Sequence, residues 1–381
     1  MPIRMTLIID PTIIANTPTV TSAESTPGVQ TTEGLVISKS PYDVNDTIFY
    51  KITNIAEGTL FKNDGITPIL DGDFITSAEG LAGLKFTPIN TQEPCTGGTI
   101  TTFGNYTIHT FIESDDFIVP TDRTVDILVV GGGGGGGAYA GGGGGGGDVA
   151  YVTDMEVVAT TYPIVVATTA YPGYSGDNSD ALGITAIGGG RGGWFNYEPD
   201  GSSGSSGGGG CGLYGGMGGS ALYGYVGGNG YNDDGAGRSG GGGGGAGSAG
   251  VNASDHHGGN GGNGIQCDIT GTETYYGGGG GGSLIGTVSG VPGLGGNGGG
   301  GNTYSPGTYG ENGQPNSGGG GGGGGSGAYT SGGSGIVIIR YYTPTDILGS
   351  FEIQSSISAS DAGLGGDVIS ASIDINPLPL P

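Results

Sequence analysis

Apolar residues follow one pattern near both ends of this chain and vanish into another in its middle. From residue 33 onward short β-type runs alternate with turn signals. In Thr47-Ile-Phe-Tyr-Lys-Ile52 the side chains of Ile48, Tyr50 and Ile52 share one face, the period of a half-buried strand. Further strands are predicted around 35–38, 59–62, 67–70 and 84–87, with turns at Asn63-Asp-Gly65 and Asp71-Gly-Asp73. β-Type runs return at Tyr106-Thr-Ile-His-Thr-Phe111, Phe117-Ile-Val119 (after a turn at 113–116), Val125-Asp-Ile-Leu-Val-Val130, 148–152 and 162–166. Then, directly on Val130, come seven glycines at 131–137, an Ala-Tyr-Ala interruption and seven more at 141–147. The glycine-rich stretch closes on Gly335-Ile-Val-Ile-Ile-Arg-Tyr-Tyr342, whose natural partner is 125–130. A flexible linker would be bounded by polar residues and would gain nothing from strands pointing into it. The bracketing predicts a folded domain.

Composition sharpens this picture. Glycine supplies 97 of 381 residues and only 34% of the chain is hydrophobic, so one ordinary side-chain core is expected. The region 131–335 holds little Leu, Ile, Val or Phe, and glycine loses much backbone entropy on folding. If it folds, backbone packing and hydrogen bonds must do it. Glycine runs adopt the left-handed, three-residue polyproline II helix, and such rods pack tightly only where every side facing a neighbour is glycine. A seven-residue run extends about 22 Å, so the runs starting near 131, 141, 207, 240, 277, 297 and 318 are expected to stack as short rods. Two readings compete: intrinsic disorder, which low hydrophobicity favours, and a silk-like fibre, which predicts tandem repeats that are absent here.

The charge of −25, from 34 acidic and 9 basic residues, argues against binding nucleic acid through its phosphates. It reads mostly as a solvated surface, with Ca²⁺ sites as a secondary possibility. Cys95, Cys211 and Cys267 are too few and too distant for a disulfide framework, and an odd count argues for reduced thiols. No secretory apolar segment or membrane span is apparent, so the expectation is a soluble protein assembled in a cytoplasm, without membrane insertion.

Several motif matches carry no weight. Every glycine run contains G-x-G-x-x-G by necessity, and none is followed by Lys-Ser or Lys-Thr. His256, His257 and Cys267 lack paired metal-ligand spacing. The stretch 227–234 lacks the key aspartate and tandem repetition of a Ca²⁺ nonapeptide. With no local nucleophile motif, neither an enzyme nor a cofactor nor a bound metal is expected.

Two resemblances add to this reading. Ile52-Thr-Asn-Ile-Ala-Glu-Gly-Thr-Leu-Phe-Lys-Asn-Asp-Gly65, Asp73-Phe-Ile-Thr76 and Gly83-Leu-Lys-Phe-Thr-Pro88 resemble the cadherin-like, CSPG-type repeat of large adhesins. The second half of that repeat is missing after Pro88 and reappears at 349–375. The succession Tyr-x-x-His-x-Phe at 106–111, Leu-Val-Val before glycines, Tyr275-Tyr-Gly and the final Gly-Ile-Val-Ile-Ile-Arg-Tyr341 resembles the glycine-rich domain of tailed-phage tail fibres and minor tail proteins. The fold class implied is all-β: a discontinuous cadherin-like β-sandwich, 31–92 plus 345–377, carrying an inserted domain, 99–343. In that insert, strands within 106–130 and 336–342 close polyglycine rods spanning 131–335, in a polyglycine II lattice like that of tail-fibre tip adhesins. Residues 1–30 are expected to be an attachment arm contacting other virion proteins.

The interruptions between glycine runs all differ, and aromatic rings beside Asn and Asp are what binding loops use. The candidate contacts are Trp194, Phe195, Asn196, Tyr197, Tyr223, Tyr225, Tyr231, Asn232, Asp233, His256 and His257, with Trp194 foremost. Against this stands the simpler role of rings that shield rod ends from water. The function implied is that of a virion fibre, spike or tip adhesin binding a host-surface receptor or glycan. The competing role is a capsid or tail decorating protein without a specific ligand. Trimers are common in phage fibres as a family, but neither heptads nor a collagen period here demands one.

Overall fold

The computed structural model describes residues 18–21, 23–25, 29–31, 34–39, 47–88, 93–195, 198–233, 237–285, 290–304, 309–325, 327–343, 347–365 and 367–375. The fold is all-β, almost entirely antiparallel, with one short α-helix among the described residues. The chain divides into two compact units, Met1–Pro94 with Pro344–Pro381, and Cys95–Thr343.

In the first unit, Phe49–Ala56 pairs with Ile347–Ser356, joining residues about three hundred positions apart; Ile353 lies opposite Ile52. The five-stranded sheet runs in the order Ala23–Ser25, Ile369–Ile375, Ile347–Ser356, Phe49–Ala56, Phe74–Thr76. A second sheet holds Pro68–Ile69, Gly58–Phe61 and Lys85–Pro88. One core joins them: Tyr50, Ile52, Phe351 and Ile353 from the first sheet, and Leu60, Ile69 and Phe86 from the second. Gly58 and Gly349 lie against the Phe86 ring, each where a side chain would collide with it. The alternation expected at 48–52 holds for Tyr50 and Ile52, but Ile48 precedes the strand and is exposed. Within the segment expected as an arm, Thr19–Val20 pairs with Ile37–Ser38 and Ala23–Ser25 pairs with Ile369–Ile375. Most of the remaining residues to 30 lie outside the described ones.

The second unit is organised by an antiparallel sheet ordered Val149–Val157, Arg123–Val130, Ile336–Tyr342, Tyr106–Phe111, Thr99–Phe103. Val130 stands opposite Ile336, and Asp126 opposite Arg340. Both faces are covered, which is why these strands read as continuous apolar runs rather than alternating ones. One face packs Val125, Ile127, Val129, Val337 and Ile339 against Phe117, Ile164 and Val166. The other packs Leu128, Val130 and Ile338 against Cys267, Ile269 and Tyr276. His109 is fully buried, stacked on Tyr341 and edge-on to Phe117, with Nδ1 2.8 Å from the Gly97 carbonyl oxygen. Burial lowers its pKa.

Beyond the sheet the strands Arg123–Val130 and Val149–Val157 continue as a pair of glycine rods. The amides of Gly131, Gly134 and Gly137 donate to the carbonyls of Asp148, Gly145 and Gly142. The second rod shows the packing in full. Gly141, Gly144 and Gly147 donate to Gly324, Gly321 and Gly318; Gly142 and Gly145 donate to Gly193 and Gly190; Gly143 and Gly146 donate to Gly241 and Gly244. The partner changes at each residue and recurs every third, as a three-residue polyproline II helix requires. The same rod accepts from three more segments: Gly137 and Gly134, Gly209 and Ser206, and Gly280 and Ser283. It is therefore surrounded by six rods, three taking its hydrogen bonds and three supplying them. All seven glycines 141–147 are buried, and a Cβ on any one would run into a neighbouring backbone.

At several places the lattice uses a side-chain hydroxyl as a substitute backbone group. Thr330 Oγ1 accepts from the Gly136 amide and donates to the Gly322 carbonyl. Ser283 Oγ bridges the Gly141 and Gly324 carbonyls, and Thr303 Oγ1 bridges those of Gly282 and Gly293. At the lattice perimeter Asn side chains cap loose amides: Asn260 Oδ1 accepts from Leu294, Asn263 Oδ1 from Asn297 and Asn229 Oδ1 from Gly218.

Candidate functional site

The hydrogen-bond register fixes which loops share an end of the lattice. The rods 131–137, 187–193, 207–210, 277–283 and 318–324 all run antiparallel to 141–147, so their last residues lie beside Gly141, at the end remote from the sheet. Described residues of four of the turns that follow them, 138–140, 194–195 with 198–199, 211–216, and 325 with 327–330, lie there.

The turn at 211–216 is tied to two of the others by hydrogen bonds. The Gly212 amide donates to the Ala140 carbonyl at 2.9 Å, and Cys211 Sγ donates to the Tyr139 carbonyl at 3.3 Å. The Cys211 amide donates to Pro199 at 2.7 Å, and that of Trp194 to Glu198 at 3.0 Å. Burial pushes the Cys211 thiol up to about 11, so it stays a neutral donor. Tyr139 and Ala140 both take the left-handed backbone conformation, φ 56°, that lets the chain reverse between two adjacent rods.

On this frame the aromatic rings form two groups, carried by the consecutive residues Trp194 and Phe195. Trp194 meets Tyr329 edge-on at 5.2 Å between centroids. Phe195 lies 5.6 Å from Tyr139 and stacks nearly parallel to Tyr214 at 6.1 Å. The Arg191 guanidinium lies 4.4 Å from the Trp194 ring centroid and pairs with Glu198. Burial pulls the pKa of Arg191 below its usual value. Trp194 and Phe195 are half-buried, whereas Tyr214 is 61% exposed, Tyr139 44% and Tyr329 41%. Tyr171 and Tyr174 are exposed on the flank, with Gly173 between them beneath Tyr329 and Trp194.

The remaining candidates separate. Tyr231 and Asn232 pair with Arg238–Ser239, and Asp233 donates its amide to Gly237; this hairpin is also at the remote end, because Ser239 leads into Gly240 beside Gly141. His256 and His257 lie in the turn before Gly258, whose neighbour Gly259 bonds to Gly240, at the same end. His256 Nε2 is 3.3 Å from Asp255 Oδ1. Tyr223 and Tyr225 are elsewhere. Tyr225 donates its amide to Gly245, level with Gly146, so both lie at the sheet end of the lattice and are not brought together with Trp194. The cause is rod direction: 225–228 runs antiparallel to 240–245, which places its first residue at the opposite end from Gly240. Asn196 and Tyr197 lie outside the described residues.

Sequence reasoning missed Tyr139, Tyr214 and Tyr329. Each sits in a turn that follows a glycine run, and that shared position was the available signal. Among the described residues no group of three His, Cys, Asp or Glu side chains could hold a metal ion. The three cysteines are buried and free. Residues 111–342, more than half of the chain, match the glycine-rich domain family. A search of curated proteins finds no match.

Proposed function

We propose that this chain, which belongs to the glycine-rich domain family, is a host-attachment component of a tailed-phage particle: a fibre, spike or tip protein. The observation that carries this reading is the gathering of separate aromatic turns at the lattice end remote from the sheet, where Tyr139, Tyr214 and Tyr329 stay exposed. Loops on a rigid scaffold suit recognition, because little conformational entropy is lost when a ligand binds. The resemblance of 106–341 to tail-fibre glycine-rich domains, and of 52–88 with 349–375 to adhesin repeats, supplies the virion setting. The chain acts by binding, without a catalytic step.

The test is adsorption. Purified full-length chain, added to a panel of bacterial strains, should label a subset of them and slow adsorption of the parent particle to that subset. Antibody labelling of particles should place the chain at a tail extremity. A chain spread over the shell that neither labels cells nor competes is a decorating protein, and the attachment reading fails.

A further inference from the structure

Resting on the attachment reading, we propose that the ligand of the distal platform is an uncharged saccharide, held on the outward faces of Tyr214, Tyr139 and Tyr329, with Trp194 and Phe195 as positioning residues beneath them. Three observations point to that chemistry and to those contacts.

The first is the distribution of exposure. Trp194, the foremost candidate from the sequence, and its neighbour Phe195 are half-buried and make ring contacts with tyrosines, so their surface is largely spent inside the protein. Tyr214, Tyr139 and Tyr329 keep 41–61% of theirs open to solvent. A tyrosine offers a flat apolar face for the C–H groups of a pyranose ring and a hydroxyl at its rim for the sugar's own hydroxyls.

The second is charge. Residues 95–343 contain no lysine and four arginines, Arg123, Arg191, Arg238 and Arg340. Arg123 is over Tyr341 and Arg340 over Tyr106, both at the sheet. At the remote end Arg191 is stacked against Trp194 and paired with Glu198, and Arg238 is exposed on the hairpin whose Ser239 lies against Gly212. One exposed guanidinium on a chain of net charge −25 is a poor electrostatic match for an anionic polysaccharide.

The third is size. With a full tyrosine burying roughly 150–250 Å², the exposed parts of Tyr214, Tyr139 and Tyr329 amount to about 300 Å², and Tyr171 with Tyr174 raise this to about 600 Å². A standard protein partner covers about 800 Å² on each side. The platform matches a few sugar rings.

The experiment uses the intact chain on an array of neutral and anionic bacterial polysaccharides, at low and high salt, with Tyr214→Ala, Tyr139→Ala and Arg238→Gln variants. Thermal melting followed by Trp194 fluorescence checks that each variant is folded. The expected result is binding to neutral glycans that does not change with salt, is weakened about tenfold or more by Tyr214→Ala, and is unaffected by Arg238→Gln. Because Tyr214 is mostly exposed, its variant should melt like the parent, and Tyr139→Ala gives an independent reading if it does not. Salt-sensitive binding to anionic glycans overturns the saccharide assignment and leaves the attachment reading standing. So does strain-specific cell labelling that protease treatment of the cells abolishes. Failure to bind both glycans and cells overturns the two together.

Discussion

Gly58 and Gly144 both sit where a side chain would collide with a neighbour, but they collide with different things. A Cβ on Gly58 would meet chiefly the ring of Phe86, a side chain in the core of the first unit. A Cβ on Gly144 would meet the Gly134 carbonyl and Gly135 backbone, which are held by their own hydrogen bonds. The first unit is a side-chain core with two glycines fitted around an aromatic ring. The lattice has a core made of backbone, in which amides satisfy carbonyls in several directions and side chains are excluded. The contrast shows how a region nearly devoid of large apolar residues can still bury its chain: close packing comes from rods about the width of a peptide group.

The sharpest way to break this comparison is to put one methyl group in the lattice. Gly144→Ala should cost more than the roughly 1–3 kcal/mol of ordinary overpacking, because no rotamer can give way, and should abolish the folded Trp194 fluorescence signal. Phe86→Ala should cost about 3–5 kcal/mol in the first unit and leave the Trp194 signal in place. If Gly144→Ala melts like the parent, the glycine rods are not close-packed.

A smaller effect tests the hydroxyl substitutions. Thr330→Val removes the acceptor for the Gly136 amide and the donor to Gly322 in a buried setting. Each group left unpaired costs about 1–3 kcal/mol, so the variant should melt detectably earlier, while Thr330→Ser should recover most of the loss. An equal loss in both variants would assign the effect to packing of the methyl group.

The smallest effect comes from the sheet. Burial lowers the pKa of His109 in the folded chain, with Arg123 adding to the shift and the Gly97 contact opposing it. The unfolded chain therefore binds the proton more readily, and stability falls as pH drops below the ordinary histidine value of about 6.5. The loss accumulates until the lowered folded value is reached. Denaturation followed at Trp194 between neutral pH and about pH 5 should show this slope, and His109→Gln should flatten it. An unchanged slope would place the acid sensitivity elsewhere.

Much of this was legible in the sequence where side chains carry a pattern. The bracketing runs 125–130 and 336–342 declare themselves strands, and the turns at Asn63-Asp-Gly65 and Asp71-Gly-Asp73 are where glycine and aspartate place them: Gly65 and Gly72 have positive φ, and Asp64 accepts amides from Ile66 and Thr67. The short helix Ser77–Ala82 was not foreseen, although Thr76 and Glu79 spell its capping box. The order of the rods could not be read, because one glycine run is interchangeable with another and carries no register. For that reason the candidate aromatics were grouped by composition rather than by rod direction. Tyr223 and Tyr225 were joined to Trp194 although they occupy the other end, and Tyr139, Tyr214 and Tyr329, scattered over nearly two hundred residues, were left out.

Amide hydrogen exchange of the intact chain, resolved to the peptides covering 131–147 and 318–324, tests the backbone-core claim most directly. Protection at Gly132–Gly137 and Gly141–Gly147 approaching that of Val125–Val130 is the expected result, since every one of these glycine amides has a hydrogen-bond acceptor within the protein. Exchange of the glycine runs at the rate of a free peptide, beside protected strands, would mean that the rods do not exist in solution.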